Sequence, residues 1–322
     1  MVFNGVPAGH PDEDALDIAL ALLNNNSQTG TMDKLGNWDG ELTSAGAYTR
    51  NFPRTRTRHR SGHSPLRRKP APFESTKSAE KKALKAIQQI ANGEFEDWKI
   101  DAIKAEKCRQ FDLEMESSED KAMILMNAFY NEQDLGDILN YKDKIMAITT
   151  DDIKRVAKKY LSDNYLALYI EKGKPDKNAK IEKPGYKPVE PPIGKESLYA
   201  TQFKNLPIGQ MEEKFADYGE VQIKQLNDRS KMYYTPNKEN NVFQLVVQYG
   251  AGEREFPKLG YAAQLMNNAG IMGAYEPQEL KEELSKLNAT CHVTADDDNL
   301  YIIMEATKPP CRKPASYFHA RF

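Results

Sequence analysis

Residues 233–270 read YYTPNKENNVFQLVVQYGAGEREFPKLGYAAQLMNNAG. Val242 to Tyr249 (VFQLVVQY) is rich in β-branched and aromatic side chains and reads as a strand. Pro236-Asn237-Lys238 supplies turn chemistry, so Met232–Tyr234 and Val242–Tyr249 are expected to form a hairpin. A helix is expected near 257–270, with Leu259, Ala262, Ala263 and Met266 as a core stripe against its own sheet. A second helix near 277–287 follows, then two strands, Ala289–Thr294 and Leu300–Met304, joined by Asp296-Asp297-Asp298-Asn299. Short strands mixed with helix pairs imply an α+β fold.

Moving toward the N-terminus, residues 173–214 carry Pro175, Pro184, Pro188, Pro191 and Pro192 among lysines and glutamates. That composition reads as an extended linker, semi-rigid where it approaches polyproline II. It divides the chain into a region of residues 1–172 and a region of residues 215–305. Within the first, Pro11-Asp12-Glu13-Asp14 opens a helix whose acids suit the positive end of the dipole. Leu16, Ala19, Leu20 and Leu23 form its stripe, and Asn24-Asn25-Asn26 its stop. Residues 42–49 suit a strand. Ala79, Ala83, Leu84, Ile87 and Ile90 make a helical stripe closed by Gly93. Further helices are expected over about 95–115, using Trp98, Ile103 and Phe111, and over about 119–131, using Ala122, Leu125, Met126 and Phe129. Thr149 and Asp152 have capping-box spacing before Ile153, Val156, Ala157, Tyr160 and Leu161. Tyr165–Ile170 suits a short buried strand.

Two segments break the pattern. Residues 50–73 hold Arg50, Arg54, Arg56, Arg58, Arg60, Arg67, Arg68 and Lys69, with four prolines and little to bury, so irregular, disordered chain is expected. The tail 306–322 is likewise basic, proline-rich and aperiodic.

The totals exclude several classes. A net charge of −2 argues against a globally cationic nucleic-acid binder. No apolar run reaches the roughly 18–20 residues that span a bilayer, and residues 1–16 lack the basic and apolar regions of a signal peptide. No membrane partner is expected, and the compartment, periplasm or cytoplasm, stays open. Cys108, Cys291 and Cys311 are odd in number and far apart, which disfavours a disulfide framework or a cysteine zinc site.

Several stretches resemble the insulinase (pitrilysin-like) zinc metallopeptidases, the large four-domain bacterial members above all. GVPAGHPDEDALDIALALLNN (residues 5–25) resembles the opening strand and helix of that family's second domain. ANGEFEDWKIDAIKAE (91–106) and ITTDDIKRVAKKYLSDNYLALYIEKG (148–173) resemble its later helices and closing strand. Residues 233–270 resemble the start of a third domain. The resemblance implies LuxS/processing-peptidase-like α/β sandwich domains, a second domain over 1–172 and part of an inactive third over 215–305. It implies that 54–73 and 306–322 depart from the family, as shifts in reading frame would make them do.

The family's zinc motif is H-x-x-E-H on a helix: two histidines four apart face one ion, and the glutamate activates its water. Aligned on the Gly260-Tyr261-Ala262 step, the histidine positions are Ala263 and Asn267 and the glutamate position is Met266. All three ligating or acid–base groups are replaced, so no catalytic residue, cofactor site or metal site is expected in this chain. The resemblance then implies a non-catalytic portion of a zinc endopeptidase, helping to enclose peptide substrates. Its zinc and active domain would lie before Met1 or on another chain. Its partners would be the remaining peptidase domains or a separate active subunit.

Other groupings carry less. His59 and His63 are four apart, but Gly62 and Pro65 disfavour the helix that would join them on a metal. Cys291 and His292 are adjacent in a strand and point to opposite faces. The run Asp296–Asn299 lacks the glycine and distant glutamate of a calcium loop and reads as a solvated turn. The basic stretch 50–69 could contact nucleic-acid phosphates, but only Phe52 offers a ring for stacking.

Overall fold

The computed structural model describes residues 1–39, 45–51, 58–63, 76–169, 193–207 and 218–307, with positions 42, 173, 185, 187, 188, 190, 209 and 215. In chain order the elements are β1 (Val2–Asn4), α1 (Glu13–Leu23), α2 (Thr31–Asp33), a π-helical turn (Lys34–Trp38), β2 (Gly46–Asn51) and β3 (Arg58–His63). There follow α3 (Thr76–Asn92), α4 (Asp97–Glu114), α5 (Ser118–Tyr130), α6 (Leu135–Leu139), α7 (Tyr141–Ala147), α8 (Thr150–Tyr160) and β4 (Tyr165–Leu166). Then come α9 (Leu198–Lys204), β5 (Gln222–Asn227), β6 (Ser230–Tyr234), β7 (Val242–Tyr249), α10 (Leu259–Met266), α11 (Pro277–Lys286), β8 (Ala289–Ala295) and β9 (Leu300–Thr307). Helices and antiparallel sheets make an α+β fold.

The chain divides into two units, residues 1–169 with 237–322, and residues 170–236. In the second, β5 and β6 pair as an antiparallel hairpin and α9 precedes them. In the first, β2-β3-β1-β4 form one sheet and β7-β9-β8 another. The expected hairpin between Met232–Tyr234 and Val242–Tyr249 is corrected: β6 pairs with β5, and β7 with β9. Both expected strands exist; the turn chemistry at Pro236–Lys238 misassigned their partners. The expectation of disorder over 50–73 fails at 50–51, which end β2, and at 58–63, where β3 pairs antiparallel with both β1 and β2. Backbone pairing on both edges outweighs the poor composition. Within 50–73 the residues 52–57 and 64–73 lie outside the described residues, as do half of 173–214 and the tail 308–322.

The first sheet, α1, α3, α4, α7 and α8 share one core. Leu16, Ile18 and Ala19 have no exposed surface, and Ala15, Leu22 and Leu23 are buried as well. So α1 is enclosed on more than the single stripe its spacing suggested, because helices and a strand surround it. The α8 cap forms as expected: Asp152 N–H donates to Thr149 Oγ1 (3.2 Å) and Thr149 N–H to Asp152 Oδ2 (3.0 Å). Asp12, just before α1, accepts from Arg155 (2.7 Å), Lys159 (3.2 Å) and Tyr160 (2.6 Å), tying α1 to α8. Gly93 ends α3 at φ +78°, where a side chain would be strained. The buried Lys104 ammonium donates to the carbonyls of Met146 (3.1 Å) and Ile148 at the end of α7, where the helix dipole favours a cation.

Two burial expectations are corrected. Leu125, Met126 and Phe129 of α5 are exposed, Phe129 by 88%, because among the described residues only Ala128 turns its helix toward packed structure. The strand at Tyr165 ends at Leu166, and Leu166 and Leu168 are exposed.

In the second sheet, register places Phe243, Leu245, Val247 and Tyr249 opposite Ala306, Met304, Ile302 and Leu300. These in turn face Ala289, Cys291, Val293 and Ala295. Alternation puts all twelve on one face, which is apolar throughout. The β8 half is covered: Ala289, Val293 and Ala306 are buried where α10 and α11 pack on β8. The β7 half is bare, with Leu245, Val247 and Tyr249 exposed. β7 is also an edge strand. Arg109 of α4 is buried and donates to Thr290 Oγ1 (3.4 Å) and the Glu305 carbonyl (3.3 Å), joining this sheet to the helical core.

Candidate functional site

The residues on which the zinc motif would fall lie on α10 and its C-cap. Gly260 N–H near the helix start donates to Glu253 Oε1 (3.1 Å), so that carboxylate serves the helix end. One turn on, Ala263 is 1% exposed, and Asn267 follows at the next i+4 position. The i,i+4 spacing sets both on the side facing β8, the geometry two histidine ligands would need. Met266 is 51% exposed and points elsewhere. The expectation that Leu259, Ala262, Ala263 and Met266 form a core stripe therefore holds only for Ala263. α10 meets β8 along a narrow line, and the rest of the helix is uncovered.

Asn267 has a specific structural task. Its Oδ1 accepts from Val293 N–H (2.7 Å) and its Nδ2 donates to the Val293 carbonyl (2.8 Å). Val293 lies on β8, an edge strand, so the carboxamide takes the place of a neighbouring strand residue. Both ends of the side chain are engaged, and neither can accept a proton at ordinary pH. Ala263 offers no donor atom, and Met266 no acid–base group. Among the described residues no three of His, Cys, Asp and Glu gather where they could hold a metal ion.

Beside this helix lies a cleft of about 460 Å³, bounded by the Asn26–Gln28 loop, α10, α11 and β8. Gln264, Asn267 and Asn268 line one wall and Lys281 and Cys291 another. Burial pushes the Lys281 amine down, with Cys291 opposing, and pushes the Cys291 thiol up, with Lys281 opposing. Neither shift makes a reactive thiolate. Gln28 sits at φ +58°, in the left-handed region, and its Oε1 is buried without a hydrogen-bond partner. Sequence reading passed over Gln28, Lys281 and the bonding of Asn267. The single legible signal was an asparagine at a helix end.

The remaining candidates separate. His59 and His63 lie in β3, not in a helix, and strand rise sets their Cα atoms about 13 Å apart. Cys108 is half-buried, and burial raises its thiol; Cys311 lies outside the described residues. His292 is exposed and Cys291 partly buried, as alternation requires. The acidic turn is committed to its own loop. Asp296 Oδ1 accepts from Asp298 N–H (2.8 Å) and Asn299 N–H (2.7 Å), and these bonds hold its carboxyl below the usual range. Asp297 and Asp298 pair with Arg254 at 3.2 and 2.9 Å. Gly252 abuts the Asp297 carbonyl so closely that a Cβ there would force the loops apart.

No protein-family model and no curated protein matches the chain. Among solved structures it is similar to a protease from Helicobacter pylori, with 18% identity, 50% of this chain and 38% of that chain covered, and a TM-score of 0.41. It is similar to a zinc-protease-like protein from Bordetella pertussis Tohama I, with 14% identity, 50% and 86% covered, and a TM-score of 0.40. It is also similar to the periplasmic protease PqqL from Escherichia coli, with 11% identity, 95% and 36% covered, and a TM-score of 0.33. The chain spans 38% of the Helicobacter protein and 36% of PqqL.

Proposed function

We propose that this chain is a non-catalytic portion of an insulinase-type zinc metalloendopeptidase: a second domain, a linker and part of a silent third domain that help enclose peptide substrates. One observation carries the reading. At the helix positions where the family places its two histidines, Ala263 and Asn267 face β8, and Asn267 is spent on the Val293 backbone. The scaffold for zinc chemistry is retained and its three chemical groups are replaced.

The test is zinc content and peptidase activity of the purified chain, alone and mixed with a subunit that carries H-x-x-E-H. The expected result is no stoichiometric zinc and no hydrolysis alone, with activity only in the mixture. Chelator-sensitive zinc at one per chain, with hydrolysis by the chain alone, overturns the proposal. The bare β7 half of the second sheet favours a reading in which the chain works as a silent subunit on a complementary one.

A further inference from the structure

Lys281 takes no part in the contacts that anchor α10. It sits in α11 one turn before Ser285, which is buried where α11 packs on β8, so i,i+4 spacing turns the lysine stem to the same side. Register puts Cys291 on the face of β8 that α10 and α11 cover, and both side chains line the 460 Å³ cleft. Among the described residues the Lys281 ammonium has no ion pair and no hydrogen bond. None of the described residues lining the cleft is an aspartate or glutamate. Lys286, at the end of the same helix, is the contrast: its ammonium pairs with Glu283 at 2.7 Å, which pushes its pKa up. Burial pushes Lys281 the other way. A half-buried amine without a counter-ion holds its proton weakly, and the free amine is a nucleophile.

We propose that Lys281 and this cleft form a covalent site for a small 2-oxo carboxylate, held as an imine of the Lys281 amine. The inference goes beyond the peptidase reading and does not depend on it. The step needs no further reactant. The Nζ lone pair adds to the 2-oxo carbon and a C–N bond forms. The carbonyl oxygen then leaves as water, its two hydrogens coming from the amine, and nothing is oxidised or reduced. A protonated imine is a cation in a cleft that supplies no carboxylate. The ligand's own carboxylate is then its counter-ion, which selects a 2-oxo acid over a neutral aldehyde. Donors for that carboxylate are in place. Gln264 and Asn268 line the α10 wall with side-chain N–H groups that no other described residue engages. Thr290 Oγ1, also in the cleft, accepts from Arg109 (3.4 Å) and keeps its own proton to donate.

The experiment is reductive trapping of the full chain with glyoxylate, the smallest 2-oxo acid, and cyanoborohydride, read by peptide mapping in a mass spectrometer. Lys286 is the internal reference, on the same helix but ion-paired. Lys281 should be labelled about tenfold faster than Lys286, or more. With acetaldehyde in place of glyoxylate the ratio of the two rates should fall about fivefold, because that carbonyl brings no carboxylate. Gln264→Ala with Asn268→Ala removes two exposed side chains. It should lower the glyoxylate ratio about fivefold and leave the acetaldehyde ratio and the thermal transition unchanged. Lys281→Arg keeps the charge, cannot form an imine, and should take the label from this stretch of α11 down to that on Lys286. Labelling of Lys281 no faster than that of Lys286, equal ratios for the two carbonyls, or a glyoxylate ratio unmoved by the double variant overturns the proposal. Neither zinc content nor hydrolysis enters these readouts, so this site and the peptidase reading fail separately.

Discussion

Replacing Asn267 by alanine isolates what its carboxamide does at the end of α10. The substitution removes two hydrogen bonds of 2.7 and 2.8 Å and strands the N–H and C=O of Val293, a residue 7% exposed. Each buried backbone group left unpaired costs about 1–3 kcal/mol, and water from the adjacent cleft reaches part of this site, so the expected loss is about 2–4 kcal/mol. The assay is urea unfolding of the full chain followed by tryptophan fluorescence. Trp98 reports on the right region, because Lys286 of α11 lies 4.9 Å from its ring centroid. Amide exchange at Val293 should accelerate in parallel. Asn267→Asp sharpens the test. An ionised carboxylate still accepts from the Val293 N–H but opposes the carbonyl, so at neutral pH this variant should be at least as unstable as Asn267→Ala. The carbonyl raises the folded-state pKa of the new carboxyl, so the folded state binds the proton more tightly. Relative to the alanine variant, stability should therefore rise as pH falls through that pKa. A loss under about 0.5 kcal/mol for Asn267→Ala, or identical pH profiles for the two variants, would refute the assignment of Asn267 as a backbone anchor.

Three further outcomes are expected. Introducing H-x-x-E-H with Ala263→His, Met266→Glu and Asn267→His should not confer stoichiometric zinc, measured by elemental analysis. Overpacking at the buried Ala263 and loss of the Val293 bonds should instead cost about 3 kcal/mol or more in urea unfolding. Asp12→Asn should lower stability by about 1–2 kcal/mol at pH 7, discounted because Arg155 and Lys159 are half exposed. Burial raises the Asp12 carboxyl but bonds from Tyr160, Arg155 and Lys159 outweigh it, so the folded pKa is depressed. That stability is present above the unfolded carboxylate pKa and is lost as pH falls through the folded value, so the variant's acid denaturation profile should be flatter than the wild type's. Leu245→Lys with Val247→Lys, on the bare face of β7, should leave the thermal transition nearly unchanged and reduce concentration-dependent light scattering.

Much of the fold was legible because it is locally encoded. The α8 capping box, the Gly93 stop and the apolar spacing of α3 and α4 each act within one or two turns, so sequence distance and spatial distance coincide. Pairing was not. β6 and β7 both read as strands, but no local signal told that one turns back on β5 while the other crosses to β9, more than fifty residues away. β3 was invisible for a different reason. Its composition is poor for a strand, and it is held by backbone bonds to β1 and β2 that composition does not report. Side chains at the candidate site split in the same way. The identities of Ala263, Met266 and Asn267, none of which carries an acid–base group, were legible at once. The bond of Asn267 to Val293 depends on a strand twenty-six residues on, and the Gln28 acceptor on a loop more than two hundred residues earlier.

The second sheet shows what α10 contributes to this scaffold. Its apolar face spans three strands, and α10 with α11 covers only the β8 side. Packing alone holds α10 weakly: Ala263 is buried, but Tyr261, Leu265 and Met266 are exposed. The carboxamide of Asn267 supplies what packing lacks: a directional bond pair that fixes the helix end on the strand edge and satisfies that edge at Val293. The same arrangement places the edge beyond it, toward Cys291, beside the 460 Å³ cleft. A histidine at this position would have one ring nitrogen for a metal and the other for a partner, and could not pair with both backbone groups of Val293 at once. Metal binding and strand anchoring are thus alternatives at one position, and in this chain Asn267 serves as the anchor.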